Sequence, residues 1–151
     1  MTNSIDRRDV LGAASVAAAA AVIGATEAAA QAAAGRMTVH ILDLYSGTPA
    51  NGVKVDLFMK QGEMMKPVKS VTTGPDGRPT SGPMLTGDAF TAGRYVIAFD
   101  LSDYFKAADK TLPANFFRKV TMEFEVVDAK MPHHIPLQCT PWTQACSVLP
   151  G

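Results

Sequence analysis

The sequence has no excess of charge of either sign, since 14 Lys and Arg residues face 14 Asp and Glu residues. Nucleic-acid-binding domains carry clustered Lys and Arg and a high pI, and proteins that bind anionic membranes carry basic clusters. The balance therefore argues against nucleic acid and against a membrane surface as partners. It favours a small neutral or singly charged molecule.

Cysteine is scarce, with Cys139 and Cys146 as the two examples. Two cysteines do not make the disulfide framework of a small secreted scaffold. A disulfide between them is permitted in an oxidising compartment, and two buried or half-buried free thiols are an equally good expectation.

Several catalytic signatures are missing. The sequence contains neither a Gly-x-Ser-x-Gly nucleophile motif nor a Gly-rich phosphate or dinucleotide loop. Neither cysteine lies in a context that marks a catalytic thiolate. Covalent catalysis is therefore disfavoured, and no cofactor is expected.

A long, strongly apolar run is also missing, and the apolar stretch near the start is short and rich in alanine. Arg7 and Arg8 precede the run from Val10 to Gly24, and Ala30-Gln31-Ala32 follows as a small-x-small cleavage site. A membrane-spanning helix needs about 20 strongly apolar residues. Residues 1–32 are therefore predicted to be a twin-arginine-type signal peptide, and the protein is expected in the periplasm.

Residues 33–151 remain, about 119 residues, which is the size of one domain with a real core. Alternation of apolar and polar residues between turns predicts mainly strands. The predicted strands are Met37 to Leu42, Val53 to Leu57, Lys66 to Thr73, Arg94 to Phe99, Val120 to Val126 and His134 to Cys139, with the segment after Pro141-Trp142 completing a final hairpin. Ser102 to Ala108 is predicted to be a short helix with Ser102 as its N-cap. Seven or eight short strands and one helix indicate an all-β, two-sheet sandwich.

Four stretches resemble one family, the transthyretin-like 5-hydroxyisourate hydrolases. They are Thr38-Val39-His40-Ile41-Leu42-Asp43 with the loop after it, Asp76-Gly77-Arg78, Phe116-Phe117-Arg118-Lys119-Val120-Thr121, and His134-Ile135-Pro136-Leu137. They occur in the family's order and span nearly the whole chain after the leader. One such piece would be weak support, but four in order are specific.

The resemblance implies a transthyretin-like (prealbumin-like) β-sandwich that assembles as a homotetramer, with sites at a subunit interface. It also implies an activity in urate degradation, the hydrolysis of 5-hydroxyisourate to 2-oxo-4-hydroxy-4-carboxy-5-ureidoimidazoline. The family's catalytic residues correspond to His40, Arg78 and His134. No metal is implied.

Opening a cyclic amide with water requires a base, a charge that holds the developing oxyanion, and a donor for the leaving nitrogen. A neutral imidazole, with an ordinary pKa of about 6.5, can accept the proton of water at neutral pH. The hypothesis is that His134 or His40 activates water while the other protonates or orients, and that Arg78 binds the ring oxygens. Sequence leaves open which histidine is the base.

Two alternatives stay open at this point. The family's enzymes close with Tyr-Arg-Gly-Ser, whereas this chain closes with Ser147-Val148-Leu149-Pro150-Gly151, which suggests a non-catalytic periplasmic protein that binds a small ligand. The other alternative is a metal site of His40, His133 and His134. Adjacent strand residues point to opposite faces, so His133 is expected to be a solvated neighbour of the site instead.

Overall fold

The computed structural model describes residues 35–112 and 116–150. The predicted signal peptide lies outside the described residues. The strands are β1 Arg36–Asp43, β2 Thr48–Pro49, β3 Lys54–Gln61, β4 Met64–Thr72, β5 Leu85–Thr86, β6 Gly93–Asp100, β7 Lys119–Val126, β8 His133–Cys139, β9 Gln144–Cys146 and β10 Leu149–Pro150. One α-helix, α1, spans Ser102–Ala108, and a 3-10 turn spans Gly87–Ala89. No helix in these two ranges is long and apolar enough to cross a membrane.

The strands form two sheets, which confirms the predicted two-sheet sandwich. The smaller sheet has the order β4-β3-β6-β7, and all its neighbours are antiparallel. The larger sheet has the order β10-β8-β1-β2, with β5 paired to β1 and β9 paired to β8. Within it β1 and β8 run parallel, which brings the two ends of the described chain together.

Alternation explains which residues form the core between the sheets. Along β1, Met37, Val39 and Ile41 are at most 1% exposed, whereas the residues between them are half-buried. Because side chains of a strand alternate between its faces, β1 has an inner apolar face and an outer polar face. The same alternation holds along β8, where Ile135 and Leu137 are fully buried.

All the long predicted strands are present, with ends that move by a few residues, and the final hairpin is present as β8 and β9. Three strands of only two residues, β2, β5 and β10, were not predicted. Two residues cannot show a period of two, so these strands arise from pairing with a neighbour already in place. Both cysteines are free thiols, with Cys139 buried and Cys146 half-buried.

The predicted role of Ser102 as N-cap is wrong. The helix begins at Ser102 itself and Leu101 occupies the N-cap position, without a side-chain capping bond. The hydroxyl of Ser102 donates to Asp100 Oδ1 at 2.8 Å. The carboxylate of Asp100 at the end of β6 therefore orders the strand-to-helix turn in place of a Ser cap.

Candidate active site

The outer face of the larger sheet carries the predicted histidines. On β1 the outward residues are Thr38, His40 and Leu42, and on β8 they begin with His134. The parallel pairing places Thr38 opposite His134 and His40 opposite Pro136. The imidazole rings of His40 and His134 therefore lie on one face, with their centroids 6.4 Å apart.

Arg78 reaches the same face from the turn between β4 and β5. Gly77 donates its N–H to the Gly74 carbonyl at 2.9 Å, and the Arg78 N–H donates to Asp76 Oδ1 at 3.0 Å. These bonds close a tight turn that directs Arg78 toward β1. Its Nη2 lies 3.5 Å from His40 Nδ1, so the structure brings together all three predicted site residues.

Gly77 joins this turn to the sheet. The N–H of Ile41 donates to the Gly77 carbonyl at 2.9 Å, at a stretch of β1 that lies between its pairings with β5 and β2. Gly77 has φ +72°, and a Cβ there would overlap the Ile41 carbonyl oxygen and lie 3.2 Å from the His40 ring. Only glycine combines this backbone conformation with so close an approach.

Electrostatics keep both histidines neutral. Burial, followed by the positive charge of Arg78, lowers the pKa of His40 below 6.5, and a hydrogen bond to the Asp76 carbonyl partly opposes this. Burial, followed by Arg78 and His40, lowers the pKa of His134. Both imidazoles are therefore available at neutral pH as proton acceptors or as neutral donors.

Arg78 is exposed and its charge is available to a ligand. Within the described part of the chain, no carboxylate oxygen lies within 4.0 Å of its guanidinium. Beside it opens a groove of ≈ 250 Å³, lined by residues that include Thr38, Asp76, Arg78 and Pro79 but neither His40 nor His134. The guanidinium fork at the edge of this groove can bind the oxygens of a small planar molecule.

His133 does not belong to this arrangement. It points to the inner face of β8, opposite His134, as predicted, and it is solvated only in part. Its ring is half-buried, packs edge-on against Phe90 at 5.5 Å, and donates from Nδ1 to the Met131 carbonyl at 2.8 Å. The three imidazoles of the alternative metal site therefore do not face a common point.

Two further residues lie on this face, and neither was predicted to be catalytic. Thr38 Oγ1 lies 2.9 Å from His134 Nδ1. Leu149, on β10, pairs in register with His134 and is 45% exposed. Thr38 lies in the same family stretch as His40, and Leu149 belongs to the segment that suggested a ligand-binding protein, but only strand pairing shows that both lie beside His134.

Comparison with known proteins identifies the family. A model of the HIUase/Transthyretin family matches residues 37–146. The chain belongs to this family. It is 40% identical over 110 residues to the 5-hydroxyisourate hydrolase of Ralstonia nicotianae, covering 72% of this chain and 93% of that relative.

A second sequence relative and one solved structure match over similar lengths of this chain. The 5-hydroxyisourate hydrolase 2 of Rhizobium meliloti is 38% identical over 109 residues, which cover 72% of this chain and 90% of the relative. The crystal structure of transthyretin from Sparus aurata superposes with a TM-score of 0.67 at 20% identity, covering 77% of this chain and 97% of that one. The Rhizobium hydrolase is a further sequence relative of this chain. The transthyretin structure shows that the two share the sandwich fold.

The close approach at Gly77 predicts a large effect of Gly77→Ala. The added methyl group meets the Ile41 carbonyl, so the turn must move and carry Arg78 away from His40. The free energy of unfolding should fall by about 1–2 kcal/mol from the strain of an alanine at positive φ. The steric overlap should lower it by about a further 1–3 kcal/mol. Urea denaturation measures this loss.

Gly47→Ala is the matched control, because Gly47 has φ +73° and open space around its Cβ position. It carries the backbone strain without the overlap. Equal losses of stability in the two variants would contradict the role given to the Gly77 contact.

The lowered pKa values predict that both histidines titrate below pH 6.5 in NMR spectra of their ring protons. Arg78→Gln removes a positive charge that opposes protonation of both rings. Their titration midpoints should therefore move to higher pH. Arg94→Gln, on the outer face of the smaller sheet, should leave them unchanged, and a wild-type His134 that titrates above 6.5 would refute this account.

Proposed function

We propose that the protein hydrolyses 5-hydroxyisourate, opening its cyclic amide with water as a step of urate degradation. The observation that carries the proposal is the meeting of His40, Arg78 and His134 on one open sheet face. Membership of the HIUase/Transthyretin family and the names of the Ralstonia and Rhizobium relatives support the substrate.

The three side chains supply what the reaction needs. One neutral imidazole takes a proton from water as its oxygen bonds to the ring carbonyl carbon. The Arg78 guanidinium stabilises the negative charge on the carbonyl oxygen. The carbon–nitrogen bond then breaks, and the proton taken from water passes to the leaving nitrogen, so that the base returns to its neutral form.

The kinetic test generates 5-hydroxyisourate from urate in situ and follows its ultraviolet decay. We expect His134→Ala, Arg78→Ala and His40→Ala each to slow turnover by about 10²–10⁴-fold, the range for losing a general base or an oxyanion donor. His133→Ala is the matched control, because His133 neighbours His134 but faces the opposite way, and it should keep wild-type turnover.

Decay no faster than without protein would refute the hydrolase. Saturable binding of the substrate without faster decay would then favour the ligand-binding alternative, in which apolar residues such as Leu149 line a binding site. The observation behind that alternative is the position of Leu149 beside His134.

We further propose that the protein forms a homotetramer. Family membership supports this assembly, and so does the position of the three residues on a sheet face that a second copy can cover. Sedimentation equilibrium of the purified protein measures the assembly size directly.

Export to the periplasm by the twin-arginine route is also part of the proposal, supported by Arg7, Arg8 and the apolar run after them. In a double substitution, Arg7→Lys with Arg8→Lys, we expect the protein to stay in the cytoplasm with residues 1–32 attached. Fractionation and N-terminal sequencing measure this. Arg36→Lys, beyond the predicted cleavage site, is the control, and a periplasmic double variant would refute the route.

A further inference from the structure

Thr38 contacts both the imidazole of His134 and the backbone next to it. Its side chain lies on the outer face of β1, directly opposite His134 of the parallel strand β8. Thr38 Oγ1 lies 2.9 Å from His134 Nδ1 and 3.4 Å from the His133 carbonyl oxygen. The hydroxyl therefore bridges the imidazole and the backbone of the same strand.

These two contacts select one tautomer of His134. A hydroxyl has one hydrogen to donate, and a carbonyl can only accept. Both contacts are hydrogen bonds at once only if the hydroxyl donates to the His133 carbonyl and accepts from a protonated Nδ1 of His134. A neutral imidazole carries one N–H, so Nε2 of His134 then bears a free lone pair.

In His40 the proton lies on the other ring nitrogen. Its Nδ1 lies 3.5 Å from Arg78 Nη2, and a guanidinium can only donate. The Nδ1 of His40 is therefore an acceptor and its proton resides on Nε2. Nε2 of His40 then makes the hydrogen bond to the Asp76 carbonyl, so both nitrogens of His40 are engaged, whereas His134 has a free acceptor nitrogen.

We propose that Thr38 is a positioning residue that fixes His134 as the general base, with a free Nε2 lone pair, and leaves His40 as a hydrogen-bond donor. This inference rests on the proposed hydrolase function. A proton leaves water for His134 Nε2 as the water oxygen bonds to the carbonyl carbon, and His134 returns that proton to the ring nitrogen as the carbon–nitrogen bond breaks. His40 keeps its hydrogen bond to the Asp76 carbonyl throughout and loses no proton.

Thr38→Val tests the proposal, because valine keeps the shape of threonine and removes the hydroxyl. We expect kcat to fall about 5–10-fold, the order for one lost positioning hydrogen bond, with KM within about threefold of wild type. Thr38→Ser keeps a hydroxyl and should restore most of kcat. Thr121→Val, on the outer face of the smaller sheet, is the matched control and should retain wild-type kcat.

A second measurement reads the tautomer without activity. In ¹⁵N spectra of the purified wild-type protein at neutral pH, His134 should show a protonated Nδ1 and an unprotonated Nε2, and His40 the reverse. The chain has three histidines, so spectra of His134→Ala and His133→Ala together assign the signals. In Thr38→Val the His134 signals should shift toward a mixture of tautomers.

The possible failures are distinguishable. A wild-type His134 protonated at Nε2 overturns the inference whatever the activity, and so does a folded Thr38→Val variant with wild-type kcat. If Thr38→Val does not fold, the wild-type spectrum and Thr38→Ser still decide. If wild-type protein leaves 5-hydroxyisourate unchanged, the hydrolase proposal fails, while the ¹⁵N spectrum still reports the state of His134.

Discussion

The in-register parallel pairing of β1 with β8 is the constraint on which the site depends. It aligns Thr38 with His134, two positions 96 residues apart in the chain. A slip of one residue would turn every side chain of a strand to the other face and carry an imidazole into the core. Full burial of residues such as Val39 and Ile135 prevents that slip. The packing of the core therefore sets the geometry of the outer face, because one register decides both.

The second constraint is the backbone contact at Gly77. The edge of β1 is paired at its two ends by β5 and β2, and the Gly77 carbonyl satisfies the Ile41 N–H between them. This bond anchors the turn and delivers Arg78 to His40. The charge of Arg78 then contributes to the low pKa of both histidines. Because Gly77 has no side chain to block this contact, the backbone pairing of β1 places the Arg78 charge beside both histidines.

Much of the fold and the three site residues could be predicted from the sequence. The features that were missed share one physical cause, since each depends on a contact between distant parts of the chain. The alternation of apolar and polar residues predicts long strands such as β1 and β7, and the Asp76-Gly77 pair predicts a turn. His40, Arg78 and His134 were found by their ordered resemblance to a family, since no local rule places them together. Thr38 was missed because the role of a hydroxyl depends on its partner, and that partner comes from the register of a distant strand. The burial of His133 was missed because it depends on contact with Phe90.

The apolar residue beside His134 bears less on the chemistry than on the surroundings of the site. Leu149 of β10 pairs with His134 on the site face, so an apolar side chain lies at the edge of the site. Burial is the leading cause of the low pKa of His134, and apolar surface beside the ring acts in the same direction. Thr38 determines which nitrogen of His134 accepts the proton, and Arg78 supplies the charge that binds an anion. Because neither contribution comes from β10, the apolar side chain of Leu149 is expected to alter how substrate is held before it removes the capacity to activate water.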